Sequence, residues 1–546
     1  MSLPDFSTQS SLFSTAALSS SLFAQGDRYR LFAQVVYPRL IAVRPELEAC
    51  YCADNGRVAI EPILMLGVSL LQFIDGLPDR AAVEMLRYHA GWNFALNRQL
   101  GDDVFHPTSL VNYRQRLIDH GLSPIGFQAI LDGLVEGGLV ARHGRQRLDS
   151  TQIFAHISRM SRLECVRETL RLALEELRPV LAKLPEFWAS VWERYVESKL
   201  EYRAEASVLQ QKMKLAGSDA LQLLQWLQHL DNPQAGAGDQ VKLLQKVWDE
   251  NFQLDAADQI EQRPAQPSGA VHNPHDPEAQ WAAKGYGKNR KEHVGYKVQV
   301  AESLSEVVLE KGEPTQSFIT AMATQPAIAS DDAGLPLVEQ EQQEMGLEKP
   351  TELYVDGAYI SAERLVQARS EGREIIGPAQ PAPSKEGRFS VEDFQIHVEE
   401  RKAICPSGKE NTQCSRLEEE STGKVMFRFE WSSHCQNCPL REQCVGKGQR
   451  HRTVVVGEYH TVLQARRQEQ QTQEFKTRVR QRNAIEGTQS ELVRGHGLRR
   501  ARYRGLAKVR FQNYFIGAAC NIKRWLRRHT WLIQQAMRQA SAMTAS

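Results

Sequence analysis

Hydrophobic spacing changes several times along this chain, and each change predicts a new element. AIEPILMLGVSLLQFIDG (59–76) has apolar residues three and four apart and ends in Gly; DRAAVEMLRYHAGWNFAL (79–96) repeats the pattern. Both predict amphipathic helices. FHPTSLVNYRQRLIDHG (105–121) offers Thr108 or Ser109 as an N-cap before a helix carrying Tyr113, Arg114 and Arg116. Residues 28–135 therefore read as an all-α domain, suited either to DNA contact in a groove or to packing and dimerisation. RQRLDSTQIFAHIS (145–158) breaks that period: it is short, β-branched and bounded by polar residues, a buried strand with Asp149 inside it. The helical period returns in ECVRETLRLALEELRPVLAKL and its successors, predicting a helical insertion over 159–260. A Pro/Gln/Gly-rich run (260–280) reads as loop. Strand patterns follow at HVGYKVQVAES (293–303), SFITAMATQ (317–325) and TELYVDGAYIS (351–361), with a helix over 335–347 between the last two. Beyond EIIGP (374–378) come a cysteine-rich segment (396–446) and a basic, mostly helical stretch to Arg528.

Length and composition narrow the class. A chain of 546 residues implies two to four domains. Its 42% hydrophobic and 24% charged content is that of a soluble globular protein and excludes a disordered or low-complexity one. The apolar run ILMLGVSLLQFI (63–74) is too short to span a bilayer. FSTQSSLFSTAALSSSLFAQ (6–25) lacks the positive n-region of a signal peptide. A cytoplasmic protein without membrane contact is expected, with a flexible arm at 1–27 and a flexible tail at 535–546. The formal net charge is only +1, yet Gln464–Arg528 holds 17 Lys/Arg against 4 Glu, a local +13. Such a surface suits a polyanion.

Three acids stand out against this background. Asp149 and Asp356 lie in the apolar runs LDSTQIF and LYVDGAYI, and Glu486 lies among arginines in RNAIEGTQSELVRGHGLRRARYRGLAKVRFQNYF. An unpaired carboxylate in an apolar strand is costly unless ligated or hydrogen-bonded. Three carboxylates converging on one point can hold two hard divalent cations for phosphoryl displacement. Glu491, about 140° round the helix from Glu486, is expected to face solvent. Asp276, Asp331 and Asp332 read as turn or cap residues.

Five of the nine cysteines fall within 405–444. Cys405, Cys435, Cys438 and Cys444 offer four thiolates with one tight pair, a set that favours a closed structural Zn²⁺ site. An iron–sulfur cluster or simply reduced cysteines are the alternatives. Cys414 and His434 are spare ligands. In the basic stretch, Arg494, Arg499, Arg500, Arg502, Arg504 and Lys508 recur around Gly495 and Gly497, where a helix break is expected, and read as phosphate contacts. Lys297 and the cluster Lys284, Lys288, Arg290 and Lys291 are further candidates. The nine tryptophans fall mostly at helical spacing, as in EFWASVWERY, and read as core.

The order LDSTQI, ELYVDGAYIS, RNAIEGTQSELVRGHGLRRARYRGLAKV resembles bacterial insertion-sequence transposases of the DDE class, in the IS-four-like superfamily, in a branch with a cysteine-rich insertion. The likeness covers roughly residues 30–525. It implies an α/β fold: an RNase H-like mixed sheet flanked by helices (140–534), with the all-α N-terminal domain, the helical insertion and a small zinc-ribbon-like module. It implies Asp149, Asp356 and Glu486 as the catalytic, metal-holding triad, with two Mg²⁺ (or Mn²⁺), and a structural Zn²⁺ on the cysteines. Arg482 matches the Arg of the Tyr–Arg–Glu–Lys signature around the third acid, and so joins the DNA-binding candidates. The Tyr position is Val479 and the Lys position Val493, with Arg494 adjacent. The implied activity is binding of inverted-repeat ends in double-stranded DNA, strand cleavage, and strand transfer to a target, by a homodimer on DNA that is nucleoid-associated when bound. A catalytically inactive domesticated relative and a metal-dependent nuclease without strand transfer are the competing readings.

Overall fold

The central sheet takes in the segments around Asp149, at 291–303 and at 319–326. The chain, seen in a computed structural model, is described except at residues 1, 5–14, 53–54, 182–185, 199–204, 230–234, 286, 288–289, 306, 308, 384–386, 421–422 and 546. Lys288 thus lies outside the described residues. Strand β1 (Gln146–Phe154) is followed by a small hairpin of β2 (Phe252–Leu254) and β3 (Ile260–Gln262). Then come β4 (Gln280–Lys284), β5 (Lys291–Ser303), β6 (Ile319–Pro326), β7 (Glu352–Tyr354) and β8 (Glu374–Ile376).

These strands, apart from the hairpin, make one mixed sheet in the order β4-β5-β1-β7-β8, with β6 also on β5. β5 runs antiparallel to β1, pairing Asp149 with Val300. β1, β7 and β8 are parallel. The outer edge of β5 is shared, its first half pairing with β4 and its second with β6. Gly295 lets β5 approach β1 closely: a Cβ there would meet the Ile153 carbonyl oxygen at 1.9 Å.

Helices pack against the sheet. α1 (Pro62–Asp75), α2 (Thr108–Asp119) and α3 (Ile125–Glu136) belong to the N-terminal region. α4 (Arg162–Glu176), α5 (Ala206–Gln228) and α6 (Asp239–Asn251) form the insertion. α7 (Asp331–Glu344) flanks the sheet, and α8 (Ala484–His496) and α9 (Leu506–Ala545) close the chain. Residues 28–135 do not bury their apolar faces among themselves alone. Leu66, Phe73, Phe127 and Ile130 share one core with Tyr296, Val298 and Met322 of the sheet and Phe511, Phe515 and Ala519 of α9. Tyr113 and Arg114 of α2 are buried, Arg114 stacking over Tyr503 at 4.3 Å and donating to Asp79 at 2.9 Å. Within the segment 1–27, Thr15–Ser19 is helical and Phe23 lies 4.6 Å from Phe94, ring to ring.

The insertion has its own core of Leu170, Leu174, Ala220, Leu223, Leu244 and Phe252. The cysteine-rich module likewise packs Phe394, Phe427, Phe429, Trp431, Val454 and Val456 together. It comprises the pair β9 (Gln395–His397) and β10 (Lys402–Ile404) and the sheet β11 (Gln413–Glu418), β12 (Val425–Glu430) and β13 (Thr453–Gly457). No single helix among the described residues is long and apolar enough to cross a membrane.

Two local expectations are corrected. The LYVDGAYI run is strand only to Tyr354; Asp356 lies beyond it and caps a 3₁₀ turn, accepting the Ala358 N–H at 2.9 Å. That bond explains the early stop, because an Asp side chain that satisfies its own turn competes with the ladder. The helix break falls at Gly497 alone (φ 73°), where the Leu498 N–H reaches back to the Leu492 carbonyl at 3.0 Å. Gly495 stays helical.

Candidate metal centre and nucleic-acid interface

The two aspartates meet because their strands are neighbours in register. Arg147 of β1 pairs with Tyr354 of β7, and each acid lies two residues further along its own strand direction. Arg482 then lies between them: its Nη2 donates to Asp149 Oδ2 at 2.9 Å and stands 3.9 Å from Asp356 Oδ2. The Ser150 N–H also donates to Asp149 Oδ1, at 2.8 Å. The Asp149 side chain is 15% exposed, the Asp356 side chain 38%. Burial pushes the Asp149 carboxyl above its ordinary pKa; Arg482 and the Ser150 N–H oppose this, and the neighbouring Asp356 adds to it. A group in this state favours a cation beside it.

Glu486 occupies the first turn of α8 and is exposed. The segment around it is held to β1 on both sides. Arg147 donates to the Gln481 carbonyl at 3.1 Å, Arg482 binds Asp149, and Gln489 donates to the Ser150 carbonyl at 3.2 Å. Arg482 lies in the 3₁₀ turn just before α8 and Gln489 on α8, one on each side of Glu486 in the chain. The aspartates are therefore brought together directly, and Glu486 is held beside the same strand. Glu491 does not face solvent as expected. It is drawn in by Arg524, whose Nε and Nη2 donate to its Oε2 at 3.0 and 2.8 Å. Glu491, His496 and Cys520 offer ligand atoms within 4.8 Å of one another, and Arg524 donates to that same carboxylate.

A cleft of about 1030 Å³ opens beside the acids. Ser150, Gln489 and Asp331 line it near the acids, and Trp281, Lys284, Arg290, Lys297 and Arg499 line the rest. Lys297 donates to the Ala329 carbonyl at 2.6 Å and to Asp331 at 3.0 Å. Against its own burial, bonds from Ser150 and Lys297 hold Asp331 below the usual carboxylate range. Burial first, then the Asp331, Asp149 and Asp356 carboxylates, push the Tyr359 phenol well above its ordinary range. Asp331 and Asp332 begin α7 behind the N-cap Ser330. Asp276 is buried in its turn and accepts from Gly505 at 3.1 Å.

The basic candidates divide by what they touch. Arg494, Arg500, Arg504, Lys508 and Lys291 are exposed. Arg499 lines the cleft and donates to Thr151 Oγ1 and the Gln152 carbonyl at 3.3 and 3.0 Å. Arg502 turns inward: it stacks over Phe73 at 4.6 Å and donates to the Leu77 carbonyl at 3.3 Å. Sequence reasoning missed Arg159 and Trp281 at the cleft wall, 5.8 Å apart from guanidinium carbon to ring centroid. A Trp on the short strand QWAAK, outside any helical pattern, was the available signal.

Cys405, Cys435, Cys438 and Cys444 line one small cavity, with His434 at its rim; Cys414 lies on β11. The Arg452 N–H donates to Cys435 Sγ at 3.4 Å. Burial pushes the Cys444 thiol up to about 11; Arg452 opposes this, and the Cys435, Cys405 and Cys438 sulfurs add to it. Thiols lining one cavity suit a thiophilic ion and carboxylates a hard one, but among the described residues neither the four cysteines nor the three acids bring three ligand atoms within 4.8 Å of one another.

Residues 404–526 match the family model of a transposase DDE domain, and residues 18–116 match that of a further transposase domain. These two matches indicate a DDE-type insertion-sequence transposase. Searches of curated proteins and of solved structures found no match. The first matched range contains Glu486, Cys405, Cys435, Cys438 and Cys444; Asp149 and Asp356 lie outside both ranges.

Proposed function

We propose that this chain binds the inverted-repeat ends of an insertion sequence, cuts them in a metal-dependent reaction, and joins the freed 3′-hydroxyls to target DNA. The observation that carries the reading is the in-register pair Asp149 and Asp356, held at one guanidinium, with the Glu486 helix anchored to the same strand. These three carboxylates would hold two Mg²⁺ or Mn²⁺ ions. When bound, such ions activate the attacking oxygen and stabilise the leaving one. The chain's own residues do the rest. Arg499, Lys297, Lys284 and Arg290 line a track for the strand's phosphates beside the acids, and Arg494, Arg500, Arg504 and Lys508 extend the basic surface outward. Arg482 keeps the two aspartates at one place and lies within reach of an incoming phosphate.

The sheet order β6-β5-β1-β7-β8, with only β5 antiparallel, supports an RNase H-like catalytic domain. The four cysteines around one cavity support a structural Zn²⁺ in a ribbon-like module that braces the connection from Asp356 to Glu486. Action as a homodimer on DNA, in the cytoplasm at the nucleoid, completes the proposal. The convergence of Asp149 and Asp356 argues against an inactive relative. A nuclease without strand transfer remains the second reading, since the same acids would serve it.

The test is cleavage of a duplex carrying the element's own ends in Mg²⁺, by wild type, Asp149→Ala and Asp356→Ala. Nicking at the ends followed by joined products is expected from the wild type alone. Cleavage by either variant removes the triad from the mechanism, and nicking without joining selects the nuclease.

A further inference from the structure

Behind the acids lies a carboxylate that the proposed chemistry does not use. Glu302, on β5, is fully buried and accepts three bonds: from Arg147 Nε at 2.6 Å, Arg524 Nη1 at 2.6 Å and Thr488 Oγ1 at 2.5 Å. A buried carboxylate without partners is prohibitive, so its two guanidinium partners fix it and it fixes them. Each partner leads to the candidate site. Arg147 is two residues before Asp149 and also donates to the carbonyl of Gln481, next to Arg482. Thr488 is two residues after Glu486 and in turn accepts from Arg524 Nη2 at 2.8 Å. Arg524 further holds Glu491 on the same helix α8 and the Ser317 carbonyl before β6. Through one buried atom group, the strand of the first acid is tied to both flanks of the third.

We propose that Glu302, with Arg147, Arg524 and Thr488, is a positioning centre that sets Glu486 relative to Asp149 and thereby the metal affinity of the site. The inference rests on reading those acids as a metal centre. Glu486 is exposed at a helix start, and its segment is held by Arg482 and Gln489 on the β1 side and by Thr488 on the Glu302 side. A catalytic constellation tolerates about 0.5 Å of drift. Direct hydrogen-bond partners of metal ligands typically govern affinity by about 10–100-fold, and these four residues act one step further back, through the backbone that carries the acids. None of the four is a catalytic residue, because none touches the reacting atoms.

The experiment measures the Mg²⁺ concentration for half-maximal end cleavage, with end binding in Ca²⁺ and the melting temperature recorded beside it. Thr488→Val removes only the hydroxyl; Arg147→Lys keeps the charge but loses the forked contact that reaches Gln481. Both are expected to raise the Mg²⁺ midpoint about tenfold or more, with end binding unchanged, and Thr488→Ser is expected to restore it. A general loss of stability would lower the amount of active enzyme without moving that midpoint. A wild-type midpoint in either folded variant overturns the inference while Glu486→Gln still marks the site as real. A wild type that fails to cleave overturns the site reading, and this inference with it.

Discussion

Cys405, Cys435, Cys438 and Cys444 fall within 40 residues and close on one cavity inside a module with its own small core. Asp149 and Asp356 lie about 200 residues apart and meet at Arg482 only through a six-stranded sheet, while Glu486, more than 300 residues from Asp149, is held beside β1 by its helix and a buried ion cluster. The first cluster is local: a few turns determine it, and spacing alone reveals it. The second is assembled, so its geometry depends on strand register and on residues that never approach the substrate. A local ligand set makes its fold depend on its ion, whereas an assembled one lets the fold stand without it.

The largest expected effect lies on the local side. Cys435→Ser removes one of four thiolates, and structural zinc sites are worth about 10 kcal/mol or more of folding free energy. Purified wild type should carry one zinc per chain by atomic emission, and the variant none, with protease nicking confined to 396–457. Equal zinc in both, or none in either, breaks the comparison at its root.

Next comes the assembled side. Asp149→Asn should lower Mg²⁺-dependent cleavage by about 10³-fold, the several kcal/mol typical of metal-held charge stabilisation, while retaining zinc and the wild-type melting temperature. Loss of zinc in that variant would mean the two clusters are not independent.

A third prediction concerns pH and the sheet that assembles the acids. Glu341 on α7 accepts the Met322 N–H of β6 at 2.9 Å, and burial pushes its carboxyl up to about 7. The fold therefore favours the neutral acid. Its contribution is fully present below about pH 4.5 and is lost as pH rises through about 7. Between pH 5 and 8.5 the wild type should lose on the order of 3 kcal/mol relative to Glu341→Gln, read from denaturant unfolding at both pH values. Parallel pH profiles would remove Glu341 from the account.

The smallest effect is expected at the rim. Arg500 is exposed, so Arg500→Ala should leave the fold intact, weaken end binding by about 1 kcal/mol and lower the salt slope by about one unit. An unchanged slope would take Arg500 off the phosphate track.

The same contrast explains what could be read from sequence. The cysteine cluster and the strands around Asp149 and Glu302 are legible because cysteine spacing and short β-branched runs bounded by polar residues are local signals. The position of Asp356 was misjudged by a few residues, since its side-chain bond to the Ala358 N–H ended the strand inside an apolar run. Arg502 looked like a phosphate ligand within its basic run, yet Phe73, over 400 residues away, takes its guanidinium face. Glu491 was assigned outward by helical angle, and only the arrival of α9 with Arg524 turns that face inward. The shared core of residues 28–135, the sheet and α9 was equally invisible, because each helix shows an apolar stripe without naming its partner.

The central claim is that Glu486 completes a metal site with the two distant aspartates. The most direct measurement compares wild type with Glu486→Gln for cleavage of the element's ends in Mg²⁺, with end binding measured in parallel. Abolished cleavage at undiminished binding is the predicted result, and cleavage by Glu486→Gln at the wild-type rate would contradict the account.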